Sequence, residues 1–465
     1  MTETPLLKRA HDLAQAFLQS LPSRQVRPAA SLQALRTALG GPLPDQGVDP
    51  SLVIETLARE ADDGLVATAG PRYFGFVIGG SVPAALAADW LCSTWDQNAG
   101  LYATSPAASV VEEVAAGWLL ELLGLPRDAS VGFVTGGQMA NFTCLAAARH
   151  EVLRRAGWDV ESDGLIGAPP VRILVGEEAH VTVLSSLRLL GLGAGTARRV
   201  QADGQGRMNP VALERALKES TGPTIVCAQA GNVDTGAFDP FSVIAPLVGE
   251  RGAWLHVDGA FGLWAAVSPG LGKLVEGVEL ADSWCTDAHK WLNVPYDSGL
   301  AIVAHPSPHR ASMTAKAAYL AQSEGAERDP FDWTPEFSRR ARGFPVYAAL
   351  KSLGRRGVAA MIERCCEHAR RMARALGDSP SVDLLNDVVL NQVLFRVRPA
   401  AGRDAGELTR AVIARVQRDG ICWLGGTTRQ AAPAIRISIS NWSTSTDDID
   451  RSAAAILGAI AAENG

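Results

Sequence analysis

Four stretches of this chain hold side chains that could do chemistry together. In DAHKWL, residues 287–292, Lys290 stands beside His289 and Trp291. Burial disfavours an ammonium, which lowers a lysine pKa and frees the amine to form a Schiff base with an aldehyde. In WLHVDGAFG, residues 254–262, Asp258 closes an apolar run, 32 residues ahead of Lys290. A carboxylate there must face a cation, a metal or hydrogen-bond donors, because burying it unpaired is costly. In TGGQMAN, residues 135–141, Gly136 and Gly137 stand between an apolar run and a long helical stretch. Paired glycines let a backbone approach a ligand closely, and the free N–H groups of a helix start favour an anion such as phosphate. In EEAH, residues 177–180, His180 follows the apolar run VRILV. It is expected beyond the carboxyl end of a strand, where an imidazole can stack on a flat ring.

Each feature also has an ordinary reading: a snorkelling lysine, an aspartate N-cap, a glycine turn, a capping histidine. Together they describe one object: an anion cradle, a ring stacker, an acid for a ring cation and an aldehyde-reactive amine. Pyridoxal phosphate needs all four. The order in the chain, phosphate turn, stacker, acid, lysine, makes Lys290 the expected Schiff-base residue.

The elements that would position these groups follow an α/β pattern. Strands are predicted at 171–175, 224–229, 254–257 and 299–304, with helices between them, notably 138–156 and 210–220. Strands alternating with helices indicate βαβ units and a mainly parallel sheet. Residues 1 to about 60 read as helices around the break Gly40-Gly41-Pro42-Leu43-Pro44. After Arg339 come a long helix (344–376), the run VLNQVLFRV, a helix at 405–419 and a strand at 434–440, which together read as a smaller α+β domain. The division expected is 1–70, a helical segment packing on a partner subunit; 71–335, a large cofactor-binding α/β domain; and 336–465, the small C-terminal domain.

Bulk properties narrow the class. The 465 residues are 47% hydrophobic, enough for a large core. With 43 basic and 49 acidic residues, a net charge of -6 and no basic tract, nucleic acid is not an expected partner. Seven scattered cysteines form no CxxC pair, so neither a zinc cage nor a disulfide framework is expected, and no metal site is assigned. The N-terminus is charged throughout and lacks a signal-peptide core, and no apolar run reaches membrane-spanning length. A reduced, cytoplasmic protein without membrane contact is the expectation.

From Pro71 to Trp442, about four-fifths of the length, the chain resembles the group II pyridoxal-phosphate-dependent decarboxylases, the family of aromatic L-amino-acid, glutamate and histidine decarboxylases. The blocks that carry the resemblance are DAHKWL with the following YDSGLAIV, WLHVDGAFG, and SPAASVVEEVAAGWLLELLGLP. The resemblance implies a fold-type I, aspartate aminotransferase-like enzyme, a homodimer with its active site at the subunit interface. It implies decarboxylation of an L-amino acid to the amine and carbon dioxide, with an aromatic substrate favoured.

Carried over by position, Gly136, Gly137 and Gln138 match the phosphate turn, His180 the ring stacker that also orients the substrate carboxylate, and Asp258 the pyridine partner. Asn232, in QAGNVDTGAFDP, occupies a polar position supporting Asp258, and His289 and Lys290 match the His-Lys pair. Arg436 resembles an arginine near the substrate in some members, with a structural arginine on an edge strand as its rival reading. Tyr73, Phe76 and Trp95 are candidates for an apolar substrate pocket.

One departure stands out. Many members carry, in a loop before a paired-arginine segment, a tyrosine thought to return the proton after carbon dioxide leaves. Here that segment is SRRARGF, residues 338–344, and the loop QSEGAERDPFDW, residues 322–333, has no tyrosine; Phe331 is the nearest ring and Tyr319 lies earlier. In related plant enzymes, loss of this tyrosine accompanies aldehyde-forming chemistry. Aldehyde formation, transamination and carbon–carbon lysis therefore stand as alternatives on the same cofactor.

Overall fold

The computed structural model describes residues 4–315, 327–400 and 402–464. Seven strands form the main sheet: β1 (Ser130–Val134), β2 (Arg172–Gly176), β3 (Arg198–Val200), β4 (Thr224–Gln229), β5 (Trp254–Asp258), β6 (Ser283–Asp287) and β7 (Gly299–Val303). Their spatial order is β1-β7-β6-β5-β4-β2-β3. Pairings β2–β3, β2–β4, β4–β5 and β5–β6 are parallel, and β7 runs antiparallel to both neighbours, β1 and β6.

The strands are apolar on both faces because helices cover both. Period-2 alternation sends Val134, Ile173, Val175 and Ala301 toward the helix Gly137–Arg155, which contributes Ala140, Cys144, Leu145 and Ala148. The opposite faces, with Phe133, Leu174, Leu255 and Leu300, join the larger core that reaches Phe241, Trp264 and the C-terminal helices. This helix is rich in alanine where it crosses the sheet, which lets it approach closely.

A second sheet, in the order β10-β11-β9-β8, comprises β8 (Val382–Leu384), β9 (Gln392–Val397), β10 (Gly425–Arg429) and β11 (Ala432–Ser438), all antiparallel. It packs with the helices Ala405–Asp419, Thr446–Asn464 and Gly343–Gly377. The last of these is broken at Gly354, whose φ of 62° and ψ of 174° no helix adopts. The predicted elements are present with boundaries shifted by one or two residues. The sequence pattern marks no strand at β3, β6, β8 or β10. SWCTD in β6 has too few branched apolar residues to read as a strand alone, although all five residues are buried.

Helices Leu32–Leu39 and Pro50–Asp62 bury none of their residues within the chain. Among the described residues, no helix is long and apolar enough to cross a membrane.

Candidate active site

In an open α/β sheet, ligands sit beyond the carboxyl ends of parallel strands. Here the C-terminal ends of β1, β2, β5 and β6 lead into Gly136-Gly137, His180, Asp258 and the Asp287–Lys290 turn, respectively. The four stretches singled out in the sequence therefore converge at one edge of the sheet.

The glycine turn starts the helix Gly137–Arg155, with Gly136 as its N-cap and no side chain capping it. The Gly136 carbonyl accepts from Ala140 N–H at 2.9 Å, which leaves the first N–H groups of the helix without intrahelical partners. Both glycines are required by close approach: a Cβ on Gly136 would come 2.9 Å from His289 Cε1, and one on Gly137 2.8 Å from Asp287 Oδ2. Gln138 is exposed, its amide 3.4 Å from Ser185 Oγ.

Lys290 Nζ lies 2.8 Å from Asp287 Oδ2, and its side chain is 21% exposed. Burial was expected to lower the lysine pKa. Burial does pull it down, but the charge and hydrogen bond of Asp287, with Asp258 behind, carry it above its ordinary value. The amine is thus held as an ammonium by the Asp287 carboxylate, a contact that the sequence pattern does not reveal. The other Asp287 oxygen, Oδ1, is buried without a hydrogen-bond partner; His289 Nε2 is 3.3 Å away but not aligned to donate. His289 Nδ1 accepts from Ser298 N–H at 3.1 Å, and burial lowers the pKa of its ring against the pull of Asp287. Tyr296 stacks on that ring at 4.3 Å, its hydroxyl pushed up to about 12 by burial and then by Asp287 and Tyr73.

Asp258 is 5% exposed. Its Oδ1 accepts from Ala260 N–H at 3.2 Å and from the Cys285 thiol at 3.3 Å, and its Oδ2 from Asn141 Nδ2 at 3.2 Å. Asn232, expected to support Asp258, bonds elsewhere. Its amide donates to Glu178 Oε2 at 3.2 Å and its carbonyl caps the N–H groups of Asp234 and Thr235. Asn141 occupies the supporting position instead. The clue was its place one turn into the helix that starts at the glycines, on the face turned to β5.

His180 caps the helix Val181–Leu189 through Nδ1, 2.8 Å from Thr182 Oγ1. Burial lowers its pKa, Asp258 opposes that, and Lys290 and Arg436 add to it. Those four groups therefore share one electrostatic neighbourhood. Arg436, on β11, donates to Val233 O at 3.1 Å and Asp234 Oδ1 at 3.3 Å, so the second sheet reaches the site edge through it.

Tyr73 is buried and stacks on Trp423 at 6.0 Å. Its segment presses on the lysine turn: a Cβ on Gly79 would come within 1.9 Å of Lys290 O. Phe76 and Trp95 lie at the surface of the single chain, 65% and 47% exposed, and Trp95 meets Phe344 edge-on. Phe331 is buried against Phe337. Tyr319 lies outside the described residues.

The donor set fits pyridoxal phosphate. An uncapped helix start that only glycine permits suits a phosphate, a buried carboxylate suits a ring cation, and a half-buried amine stands between them.

Comparison with known proteins agrees with this geometry. Residues 40–398 match the model of the pyridoxal-dependent decarboxylase conserved domain. The aromatic-L-amino-acid decarboxylase of Bacillus atrophaeus is 26% identical over 95% of this chain and 92% of its own. The L-2,4-diaminobutyrate decarboxylase of Rhizobium meliloti is 28% identical over 90% and 84%, and the 4-hydroxyphenylacetaldehyde synthase of Rhodiola rosea 26% over 94% and 91%. The crystal structure of Oryza sativa TDC with PLP and tryptamine shares the fold at a TM-score of 0.92, with 23% identity over 99% of this chain and 97% of that one. The chain belongs to the pyridoxal-dependent decarboxylase family, with pyridoxal phosphate as its cofactor.

Proposed function

We propose that this chain removes the α-carboxylate of an L-amino acid as carbon dioxide, and that Lys290, Asp258, His180 and His289 carry the reaction. The observation that supports this most is the Lys290–Asp287 pair, set between the twin-glycine helix start and the buried Asp258.

When bound, pyridoxal phosphate supplies an aldehyde for an amine and a cationic ring that draws electrons from the substrate α-carbon. Lys290 offers the amine that takes the aldehyde between turnovers. It must first shed a proton, which the charge of the Asp287 carboxylate in contact with it holds on the amine. The helix-start N–H groups at Gly136, Gly137 and Gln138 would hold its phosphate. Asp258, held by Asn141, Ala260 and Cys285, would be the partner of the ring nitrogen. His180, its pKa lowered by burial, would lie against the ring and donate to the substrate carboxylate. Arg436, whose charge is felt at His180, would add positive charge near that carboxylate. His289, fixed by Ser298, forms the wall behind Lys290.

An aromatic side chain is the substrate class we favour, because Tyr296 stacks on His289 and Tyr73 lies close enough to act on the Tyr296 hydroxyl. We also assign the chain as a homodimer in which residues 1–70 pack on the partner, with 71–335 as the large and 336–465 as the small domain. Helices Leu32–Leu39 and Pro50–Asp62 support this. They bury nothing of their own and expose Leu32, Leu39, Leu52 and Leu57. Seven unpaired, buried cysteines support a reducing, cytoplasmic location.

A second reading, oxidative formation of an aldehyde with carbon dioxide and ammonia, dioxygen taking up the two electrons as hydrogen peroxide, is favoured by the tyrosine-free loop 322–333 and by the likeness to the Rhodiola rosea synthase. Mass spectrometry of products from a mixture of L-amino acids decides between them. An amine with released carbon dioxide supports decarboxylation, an aldehyde supports the second reading, and a keto acid contradicts both.

A further inference from the structure

At Asn141, the support of Asp258, two runs of polar side chains meet that have been given no role above, one leading inward to Trp254 and one outward to His180. Trp254 Nε1 donates to Ser283 Oγ at 2.9 Å, and Ser283 Oγ lies 2.9 Å from His256 Nδ1. His256 Nε2 lies 2.8 Å from Asn141 Oδ1. The Asn141 amide donates to both Asp258 Oδ2 and Thr182 Oγ1, each at 3.2 Å, and Thr182 Oγ1 lies 2.8 Å from His180 Nδ1. Except for Thr182 and His180 at the open end, these residues are buried, with His256, Ser283, Asn141 and Trp254 at 0% exposure.

The direction of every proton in this chain is determined by its two fixed poles. An indole N–H only donates, and an ionised carboxylate only accepts. Asp258 therefore turns the Asn141 amino group toward itself, which leaves Asn141 Oδ1 facing His256. Only a protonated Nε2 can bond that oxygen. His256 is neutral, its pKa driven down to about 4 by burial against the pull of Asp258, so its Nδ1 is an acceptor. Ser283, already accepting from Trp254, gives its own proton to that Nδ1. At the other end, Thr182 Oγ1 accepts from Asn141, so its hydroxyl proton is free for His180 Nδ1. The Thr182 backbone N–H points to the same nitrogen, at 3.4 Å.

We propose that Asn141 is the joint of a tautomer relay, in which the charge of Asp258 and the Trp254–Ser283–His256 chain place the proton of His180 on Nε2. Asn141, Thr182 and His256 are thus positioning residues. They make the stacking histidine a donor rather than an acceptor on the nitrogen that has no partner among the described residues. A histidine in the wrong tautomer keeps its geometry and loses its function, because the lone pair and the proton exchange places. The catalytic meaning of the relay rests on the roles proposed for Asp258 and His180. The tautomer itself does not, because it is a property of the cofactor-free chain.

The test is long-range 1H–15N correlation on cofactor-free protein labelled with 15N-histidine, which separates Nδ1–H, Nε2–H and imidazolium forms. His180→Gln and His256→Gln assign the two signals. The relay predicts Nε2–H for both residues in the native chain. In Thr182→Val, which keeps the shape and leaves only the weaker backbone donor, His180 is expected to populate its Nδ1–H form while His256 stays unchanged. Thr182→Ser is expected to restore the native pattern. In the loaded enzyme Thr182→Val should lower kcat about tenfold, the worth of one hydrogen bond, with KM little changed. A native His180 protonated on Nδ1, or a Thr182→Val variant with native tautomer, overturns the relay. A shifted tautomer with intact turnover leaves the relay standing and refutes the role proposed for His180, so the two failures read differently.

Discussion

Lys290 Nζ and Asp287 Oδ2 lie 2.8 Å apart, three positions from each other in the turn that follows β6. The carboxylate raises the lysine pKa above its ordinary value even though burial works the other way. It also stands against the twin-glycine helix start, one oxygen unpartnered. The amine that must become a nucleophile is therefore stored as an ammonium by the carboxylate beside it.

Replacing Asp287 with Asn keeps the shape and removes the charge. The Lys290 pKa then falls toward the value burial favours, so the neutral amine appears at lower pH. The pH at which added pyridoxal phosphate develops its Schiff-base absorbance should shift down in Asp287→Asn. An unchanged profile would mean that Asp287 does not govern the lysine.

Asp258→Asn should bind the cofactor and turn over about 10²-fold or more slowly, the usual cost of removing a group aimed at developing charge. Steady-state kcat beside a cofactor titration separates the two effects. Turnover within a fewfold of native would remove Asp258 from the mechanism.

Much of this site was legible because its chemistry is tied to residue type. Only a lysine, a carboxylate, an imidazole and paired glycines could answer the four needs of one cofactor, and apolar runs beside them marked strand ends. What could not be read were contacts between distant segments. Asn232 and Asn141 are both plausible supports for Asp258 in sequence, and only the packing of the helix Gly137–Arg155 across β5 puts Asn141 there. The lysine pKa was misjudged in direction for the same reason. Burial can be inferred from neighbours in sequence, whereas the turn that folds Asp287 back onto Lys290 cannot. β6 escaped notice because its burial comes from both flanking strands rather than from its own composition.

Arg339 and Glu112 form an ion pair at 2.7 Å, with side chains 0% and 1% exposed, and Arg339 also donates to Ala99 O and Phe133 O. Glu112→Gln leaves a buried guanidinium without its counter-charge. A loss of about 3–5 kcal/mol in urea unfolding is expected, as for other broken buried pairs. A loss under about 1 kcal/mol would show that the pair is dispensable.

His256 and His309 are driven by burial to about 4 and about 3, Arg328 adding to the effect at His309. The unfolded chain protonates these rings near pH 6.5, well before the folded chain does. Folding stability contributed by the pair is therefore full above pH 6.5 and is lost as pH falls through that value toward 4 and 3. Asp239, whose carboxyl burial raises to about 6, acts in the opposite sense between pH 4 and 6. Urea midpoints measured at pH 7 and pH 5 should fall with pH in the native chain and fall less in His309→Gln. Equal slopes would exclude His309 as a contributor.

The assignment of Lys290 is tested most directly by borohydride reduction of the purified protein with bound pyridoxal phosphate, followed by peptide mass spectrometry. Reduction should leave a phosphopyridoxyl group on the peptide containing Lys290, and Lys290→Ala should show neither the label nor the visible absorbance. A label on another lysine, or a yellow Lys290→Ala protein, would contradict the account.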